Sequence, residues 1–287
     1  GVIYGSDYIM TLPEEFAAAV DGCRDAQEEF QFGRWADDGL GKITPLWLLK
    51  YLPNMPACHV AIYNDLRGPN NSITLRESSA NMAIAEAHNT IVRGAADRIF
   101  VGATGSRIHP LRTVHVCLQE EMAQGNGDGT TLSRPFDLQR NGMVPGEGAG
   151  VVVLESLSAA QSRGATIYGE VVGHGSSAVV DRNGVGNREL SMRNACSQAL
   201  LMAGKGVDDL GHLHAHGLST RQSDIDEACA IQSVFAGRST VLPVTAAKSY
   251  FGNLGAGSGM IELISSLMAL RHGQLFPSLN YQYPDPA

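Results

Sequence analysis

Residues 68–80 read GPNNSITLRESSA, in which a short β-branched, apolar segment runs into a turn and then into a helix. The pattern predicts a strand at residues 73–75 and a helix at residues 79–93, where Ala, Met and Ile recur on one face. A strand, sharp turn and helix in this order present one side chain at the positive end of the helix dipole, as in a nucleophile elbow. By position that side chain is Glu77, where acyl transfer would require Ser or Cys. Alternatively, Glu77 is a first-turn acid that complements the dipole, typically worth ~0.3–1 kcal/mol.

Predicted strands and helices alternate along the rest of the chain. Apolar segments rich in β-branched residues indicate strands, and amphipathic segments that end at Gly indicate helices. This alternation predicts an α/β fold in which helices cover both faces of a mixed or parallel sheet. The predicted strands lie at residues 98–102, 151–154, 169–172, 213–215 and 241–245, and the predicted helices at residues 192–203, 224–235 and 257–270. Residues 120–137 are rich in Gly, Asn, Asp, Ser and Thr, which predicts a long surface loop, either a linker or an ordered functional loop.

The composition is that of a folded protein without a nucleic-acid or membrane-spanning surface. Of 287 residues, 44 % are hydrophobic and 17 % charged, which excludes disorder, and the 33 glycines favour an α/β fold with tight turns. The net charge of −8 argues against a broad nucleic-acid surface. No apolar run in the sequence approaches membrane-spanning length, and the first residues do not read as a secretion signal. The five cysteines are scattered without CxxC spacing, so we expect reduced thiols and a cytoplasmic location.

Two further stretches carry side chains suited to chemistry. In residues 212–220 (HLHAHGLST), His214 and His216 share one strand face, which suits metal ligation if a third ligand comes from elsewhere. A catalytic histidine at the carboxyl end of a strand is the better interpretation in an α/β protein, and ordinary partly buried histidines are the default one. Lys248 and Asn253 precede a long apolar helix, whose first N–H groups suit an anionic or carbonyl oxygen. The glycines around them also favour close helix packing, and both interpretations can hold.

Taken together, these stretches resemble the β-ketoacyl-acyl-carrier-protein synthases, condensing enzymes of the thiolase-like fold. Each landmark is weak alone, but their order and spacing are specific, and the resemblance runs from one end of the chain to the other. The supporting landmarks are residues 52–62 (LPNMPACHVAI), 68–70 (GPN), 94–97 (GAAD), 133–137 (SRPFD), 140–142 (RNG), 146–150 (GEGAG), Asn280 and 284–286 (PDP).

The resemblance implies a duplicated, five-layered α-β-α-β-α architecture that dimerises through strands near the nucleophile. Residues 1–150 would be the remainder of the N-terminal thiolase-like half, and residues 151–287 the C-terminal half without its final strand. Because the family fold is then partial at both ends, sheet edges would be left exposed. We therefore expect part of a longer chain rather than a stand-alone domain.

The resemblance also assigns site residues. Glu77 stands at the nucleophile position, where the family keeps a cysteine. His216 matches the first catalytic histidine, Lys248 the active-site lysine, and Asn253 the place of the second histidine. Condensing enzymes with a Cys-His-Asn set are known, so Asn253 could still donate a hydrogen bond to an enolate oxygen.

The substrate arm is expected to be the acyl-phosphopantetheine of an acyl carrier protein, and no bound cofactor or metal is expected. Thr220 keeps one hydroxyl of the pantetheine-contacting threonine pair, Leu218 loses the other, and Ser219 lies between them. Asp224 and Glu227 match acidic residues that follow the first histidine on the next helix. Carrier docking usually wants basic surface, for which the acidic sequence offers only scattered arginines such as Arg98, Arg107 and Arg112.

The substitution at position 77 determines the expected function. A carboxylate could form only a mixed anhydride with an acyl group, which water would destroy, so Glu77 should not support normal condensation. The leading hypothesis is a non-condensing subunit, similar to the chain-length factors of aromatic polyketide synthases, that pairs with an active ketosynthase as a homo- or heterodimer.

Two alternatives remain open at this stage. The first is an acyltransferase or malonyl-carrier decarboxylase that uses His216, Lys248 and Asn253, with a protonated Glu77 imitating the glutamine of loading domains, although the helix dipole favours the charged carboxylate. The second, weaker alternative is ordinary fatty-acid elongation through a different nucleophile.

Overall fold

A four-stranded mixed sheet organises the first part of the chain in the computed structural model, which describes residues 1–125 and 128–286. The strand order is β2-β1-β3-β4. Strand β1 pairs in parallel with β2 and β3, and β4 runs antiparallel to β3 along its whole length. The strands are β1 (Val2–Ser6), β2 (Asn70–Ile73), β3 (Arg98–Ser106) and β4 (Glu147–Glu155).

Helices cover both faces of this sheet because successive side chains of β1 point in opposite directions. Ile3 packs with the alanines of α3, whereas Val2 and Tyr4 pack against Ala57 of α2. The helices of this part are α1 (Pro13–Gly22), α2 (Met55–Tyr63), α3 (Ser79–Val92), α4 (Pro110–Gln119) and α5 (Leu157–Ser162).

The second part of the chain adds a two-stranded parallel sheet and its helices. These elements are α6 (Arg188–Ala203), β5 (Leu213–His214), α7 (Arg221–Phe235), β6 (Val244–Thr245), α8 (Lys248–Phe251) and α9 (Ser258–His272). Helix α9 packs through Met260 into the core formed by α3, and its Ser266 contacts His214 of β5. Helices α7 and α6 pack together beyond β5. The layers are therefore α2, the first sheet, α3 with α9, the second sheet, and α7 with α6, as the five-layered prediction expects.

Some predicted elements differ from the observed ones. Residues 169–172 form no ladder with any strand that the structure describes, so the predicted strand there was wrong. Their apolar character has another cause, because Val171 packs against the central core and Gly169 approaches Leu267 of α9. The strand predicted at residues 241–245 shortens to β6, and Val241 is 91 % exposed.

The bounds of β2 and β4 also differ from the sequence predictions. The strand predicted at residues 73–75 lies earlier, at Asn70–Ile73. The predicted boundary after residue 150 falls inside β4, all nine residues of which pair with β3, and the division into two halves stays a prediction. The predicted loop at residues 120–137 includes Asn126 and Gly127, which lie outside the described residues. Among the helices that the structure describes, none has the length and apolar character needed to cross a membrane.

Candidate active site

Glu77 is presented by a sharp turn between β2 and α3. Leu75 donates its backbone N–H to the Ser79 hydroxyl at 2.8 Å, which closes the turn over the buried start of α3. Arg76 has a left-handed backbone with φ of 52°, a conformation that costs a non-glycine residue roughly 1–2 kcal/mol. Glu77 follows in a single 3₁₀ turn and faces the amino-terminal end of α3. The structure thus has the elbow geometry predicted for residues 68–80.

The Glu77 carboxylate is held by positive groups and N–H donors. The buried Arg107 guanidinium and the Asn253 amide, at 3.0 Å, both donate to its Oε1 atom, and Arg76 Nε lies 3.6 Å from Oε2. Burial alone would raise the pKa of Glu77, but Arg107, His216 in its protonated form at low pH, and the Asn253 hydrogen bond outweigh it and lower the pKa to about 2. Glu77 is therefore ionised at neutral pH. This argues against the alternative in which a protonated Glu77 imitates an amide, because the buried guanidinium stabilises the charged carboxylate.

Arg107 belongs to a set of four charged residues, which we call the position-77 ion cluster: Glu77, Arg107, Glu120 and Arg76. Arg107 follows the carboxyl end of β3, and its backbone N–H donates to Gly146 O at 3.0 Å. Its Nη1 donates to Glu120 Oε1 at 2.9 Å, and Arg76 Nη2 donates to the same carboxylate. Each carboxylate of the cluster thus meets both guanidinium groups, the condition under which a buried ion pair is tolerated.

Asn253 has a fixed orientation towards position 77. Its Oδ1 accepts hydrogen bonds from Gly255 N at 3.0 Å and from Ser258 Oγ at 3.3 Å. Its Nδ2 must therefore face the other way, towards Glu77 and the Met143 sulfur, which is 3.3 Å away. Asn253 is buried, and its backbone N–H donates to Val144 O at 2.7 Å. The amide is a positioned donor whose proton already points at a carboxylate.

His216 and Lys248 form the other side of the site. His216 follows β5 by two residues, and Lys248, which is 1 % exposed, begins α8. The Lys248 ammonium contacts His216 Nδ1 at 3.1 Å, donates to His216 O at 2.8 Å and pairs with Glu262 of α9. Burial and Lys248 lower the pKa of His216 to about 4, so its imidazole is neutral at pH 7. The negative charge of Glu77 lies close enough to oppose this lowering of the His216 pKa, so the structure brings all four predicted catalytic positions together.

Glu227 of α7 supports the backbone of the His216 loop. Its two carboxylate oxygens accept from His216 N at 2.6 Å and Gly217 N at 2.8 Å. Burial raises the pKa of Glu227 to about 7, because these backbone donors only partly compensate for lost hydration. Glu227 therefore positions His216. No contact between Glu227 and Glu77 occurs in the described part of the chain.

The predicted pantetheine-contacting residues lie on the continuation of this loop. Leu218 and Ser219 donate their backbone N–H groups to Asp224 at 3.0 and 3.1 Å. The buried Ser219 has a left-handed backbone, and its hydroxyl accepts from Arg134 N at 3.0 Å, so that hydroxyl has a structural partner. Thr220 is buried and precedes α7. Contact between these residues and a substrate arm stays a prediction.

His214 is engaged by protein groups on both ring nitrogens. Its Nδ1 lies 2.9 Å from Ser266 Oγ, and its Nε2 accepts from Ala247 N at 3.3 Å. Burial lowers the pKa of His214 to about 4. Within residues 1–125 and 128–286, no three His, Cys, Asp or Glu side chains converge as a metal set. The metal-ligand interpretation of His214 and His216 therefore finds no third ligand in this region.

Sequence reasoning missed Arg107, Glu120 and Glu262 as members of the site. Glu262 carried a usable signal, because it is the only acidic residue in the apolar sequence of α9. Arg98, Arg107 and Arg112 were named as scattered arginines of a carrier-docking surface. For Arg107 and Arg112 this was wrong. Arg107 is fully buried and Arg112 is 8 % exposed, because both face the interior next to β3.

The sequence comparisons agree with this geometry. The family profile described as "Beta-ketoacyl synthase, N-terminal domain" matches residues 18–160, and "Beta-ketoacyl synthase, C-terminal domain" matches residues 168–282. The chain belongs to the β-ketoacyl synthase family. Within this family it is similar to 3-oxoacyl-[acyl-carrier-protein] synthase 2 of Synechocystis sp., with 32 % identity over 258 residues. The same-named protein of Staphylococcus aureus is 32 % identical over 257 residues.

The matched regions cover 87 % of this chain but only 60 % of the Synechocystis protein and 62 % of the Staphylococcus protein. The chain therefore spans about three fifths of the length of these synthases. A solved β-ketoacyl synthase from Burkholderia phymatum superposes with a TM-score of 0.84 at 25 % identity, covering 100 % of this chain and 65 % of that one. A type II polyketide ketosynthase in complex with its acyl-carrier protein gives a TM-score of 0.83 at 23 % identity, covering 100 % and 68 %. The predicted thiolase-like fold is confirmed.

Proposed function

We propose that this β-ketoacyl synthase-family chain is a non-condensing subunit of fatty acid or polyketide biosynthesis that pairs with an active ketosynthase, in the manner of a chain-length factor. One observation carries the proposal, namely the ionised Glu77 carboxylate held by Arg107 and Asn253 at the nucleophile position. An ionised carboxylate in this place is a poor acyl acceptor, and its acyl product would hydrolyse. Normal condensation then needs a different subunit to supply the thiolate.

Malonyl-carrier decarboxylation by the same pocket is less well supported. Loss of carbon dioxide from a malonyl group leaves an enolate, which requires free N–H donors or positive charge near its oxygen. The Asn253 Nδ2 group, the donor best placed for this role, already bonds Glu77. The negative charge of Glu77 would also repel both the malonyl carboxylate and the enolate.

The surroundings of the pocket support a partner and a carrier. Strand β2, which leads into the Glu77 turn, lies at the edge of its sheet, where a further strand can pair with its backbone. Two relatives are named as 3-oxoacyl-[acyl-carrier-protein] synthases, and one structural neighbour was solved with its acyl-carrier protein. We infer that an acyl-phosphopantetheine arm would reach the site past Thr220 and Leu218, and that the dimer partner would join at β2.

The proposal is tested by three measurements on the purified protein. Incubation with acyl- and malonyl-carrier protein should give no covalent acylation, and no labelled carbon dioxide above that of the His216→Ala variant. Co-expression with a cysteine-containing ketosynthase from the same organism should yield a stable complex. Covalent acyl transfer to the protein, or His216-dependent release of carbon dioxide, would each refute the non-condensing assignment. Failure to associate with any ketosynthase would refute the partner role.

A further inference from the structure

A cavity of about 220 Å³ lies beside the position-77 ion cluster. It opens between the carboxyl ends of β1 and β3 and the start of α4. Apolar atoms form much of its wall, but several ionisable side chains also face it. Its lining includes Asp7, His109 and Arg112.

Four buried polar atoms on three side chains of this cavity lack hydrogen-bond partners among the described residues. Asp7 is 5 % exposed and Arg112 is 8 % exposed. In the described part of the chain, Asp7 Oδ1, Arg112 Nε and both ring nitrogens of His109 have no hydrogen-bond partner. Arg112 Nη2 lies 3.5 Å from Asp7 Oδ1, which is too long for a good hydrogen bond. Buried polar groups are nearly always paired, and each unpaired one costs roughly 1–3 kcal/mol, so a bound group is the natural partner.

The charges around the cavity favour an anion over a cation. Arg112 provides a guanidinium, and the ten-residue helix α4 begins at the cavity wall with no side-chain cap at His109. Against these stands the carboxyl group of Asp7, whose Oδ2 already accepts from Ala256 N at 3.0 Å. A cation would meet the Arg112 guanidinium, whereas an anion meets Arg112, an imidazole N–H and the helix terminus.

Asp7 is set up to share a proton with an acid. Burial raises its pKa, and the charge of Glu77 acts in the same direction. The Ala256 hydrogen bond and the charges of Arg112 and Arg107 oppose this rise without cancelling it. A protonated Asp7 can donate to a bound carboxylate, since two carboxyl groups that share one proton avoid like-charge repulsion.

We propose that this cavity binds a small monocarboxylate, with Arg112 and His109 donating to its oxygens and Asp7 sharing a proton with it. A monocarboxylate fits better than inorganic phosphate, because a phosphate dianion would place a second negative charge against Asp7. Binding takes up a proton, so the affinity should increase as the pH falls. Binding here requires no acyl transfer, so its failure and the failure of the non-condensing assignment are separate results.

Isothermal titration of the protein with propionate tests the site. Propionate should bind more tightly at about pH 5.5 than at about pH 8, and propan-1-ol, its neutral analogue, should not bind. Arg112→Gln should weaken propionate binding by at least about tenfold, whereas Arg98→Gln, at an exposed arginine, should leave it unchanged. Asp7→Asn should retain binding, because an amide can still donate, and should bind propionate with a weaker pH dependence than wild type.

Several outcomes would overturn the proposal. These are absence of propionate binding at the lower pH, equal affinity in Arg112→Gln, or tighter binding of inorganic phosphate. If Arg112→Gln does not fold, as judged by circular dichroism, the decisive variant is His109→Ala at a partly buried position. Unchanged propionate affinity in His109→Ala would then reject the site.

Discussion

The two sides of the candidate active site use buried charge in opposite ways. On the side built by β2 and β3, Glu77 is held ionised by Arg107, and the pKa of the carboxyl falls to about 2. On the side built after β5, Glu227 is more deeply buried than Glu77 and accepts from uncharged backbone N–H groups, and its pKa rises to about 7. The difference shows that burial alone favours the neutral carboxyl, and that a guanidinium in direct contact reverses the preference.

The same contrast bears on function. The His216 side retains a neutral imidazole, a buried ammonium and a supporting carboxylate, all at hydrogen-bond distance. The Glu77 side retains the elbow but fills it with a locked ion pair. Under the proposed function, the ion pair therefore occupies the predicted nucleophile position, whereas the His216 side keeps polar groups at hydrogen-bond distance. Each prediction below changes one side and measures whether the contrast persists.

The largest effect is expected from Glu77→Cys, which places a thiol at the turn. Arg107 and the start of α3 should lower the pKa of the new thiol well below the usual ~8.5, so most of it is thiolate at neutral pH. Its alkylation by iodoacetamide should then exceed that of the exposed Cys117 by about tenfold or more. Mass spectrometry of peptides after timed labelling measures both rates in one sample.

Acyl loading provides the second readout of this variant. Glu77→Cys should accept the acyl group of acyl-carrier protein as a thioester on its own thiol and release the carrier's free thiol, whereas wild type and Glu77→Gln should accept none. The Cys117→Ser background separates labelling at the two sites. Alkylation no faster than at Cys117 would show that the Arg107 charge does not reach the nucleophile position.

Arg107→Met should strongly destabilise the protein. Removing the guanidinium leaves Glu77 and Glu120 partly buried with only Arg76 near them, and breaking a buried ion pair in this way typically costs about 3–5 kcal/mol. Urea unfolding measures the change in the free energy of unfolding. Adding Glu77→Gln and Glu120→Gln should recover most of the loss, because the uncompensated charges are then gone.

The matched control is Arg98→Met. Arg98 is exposed and pairs with Glu155 at 2.7 Å, and surface ion pairs are worth only about 0–1 kcal/mol. Similar losses in Arg98→Met and Arg107→Met would mean that the position-77 ion cluster adds nothing to stability beyond an ordinary surface pair.

Much of this architecture follows from local sequence. The helix at Ser79–Val92 and the strand at Arg98–Ser106 are predictable because apolar periodicity and glycine stops are local signals. The four positions Glu77, His216, Lys248 and Asn253 were found by their order along the chain. Their convergence is long-range, since the Asn253–Glu77 hydrogen bond joins residues 176 positions apart.

The ion cluster was beyond sequence reasoning for a physical reason. Arg107 and Glu120 look like ordinary surface residues, and only the direction of the chain after β3 turns the guanidinium inward. At residues 169–172 the error was the opposite one, because the sequence predicted a strand that the structure does not form. Only Val171 of this segment packs against the core, Val172 is 49 % exposed, and contact with the core does not supply a partner strand.

A smaller effect is expected when the stabilities of wild type and Glu77→Gln are compared as the pH falls. The folded-state pKa of Glu77 is about 2, below the ordinary value of 4.5, so the unfolded state binds more protons between these values. The stability that ionised Glu77 contributes is fully present above about pH 4.5 and is lost as the pH falls towards 2. Urea unfolding at several pH values should show wild type losing its advantage over the variant. In an Arg107→Met background, the stability difference between Glu77 and Gln at position 77 should lose most of its pH dependence. If the pH dependence persists there, a group other than Arg107 lowers the pKa of Glu77.

The smallest effect, and of opposite sign, is expected for Glu227→Gln. The folded-state pKa of Glu227 is about 7, above the ordinary value of 4.5, so the folded state binds more protons in this range. Wild type should therefore lose stability relative to the variant as the pH rises from about 4.5 to about 7, with no further change above that. The histidines titrate in both proteins and largely cancel in the difference. Asp226→Asn removes a neighbouring acid on α7 that pairs with Arg188 rather than with the His216 loop, and it serves as the control. The quantity measured is the stability of wild type minus that of Glu227→Gln at each pH. If this difference stays constant or rises with pH, the backbone donors stabilise the Glu227 carboxylate as effectively as Arg107 stabilises Glu77.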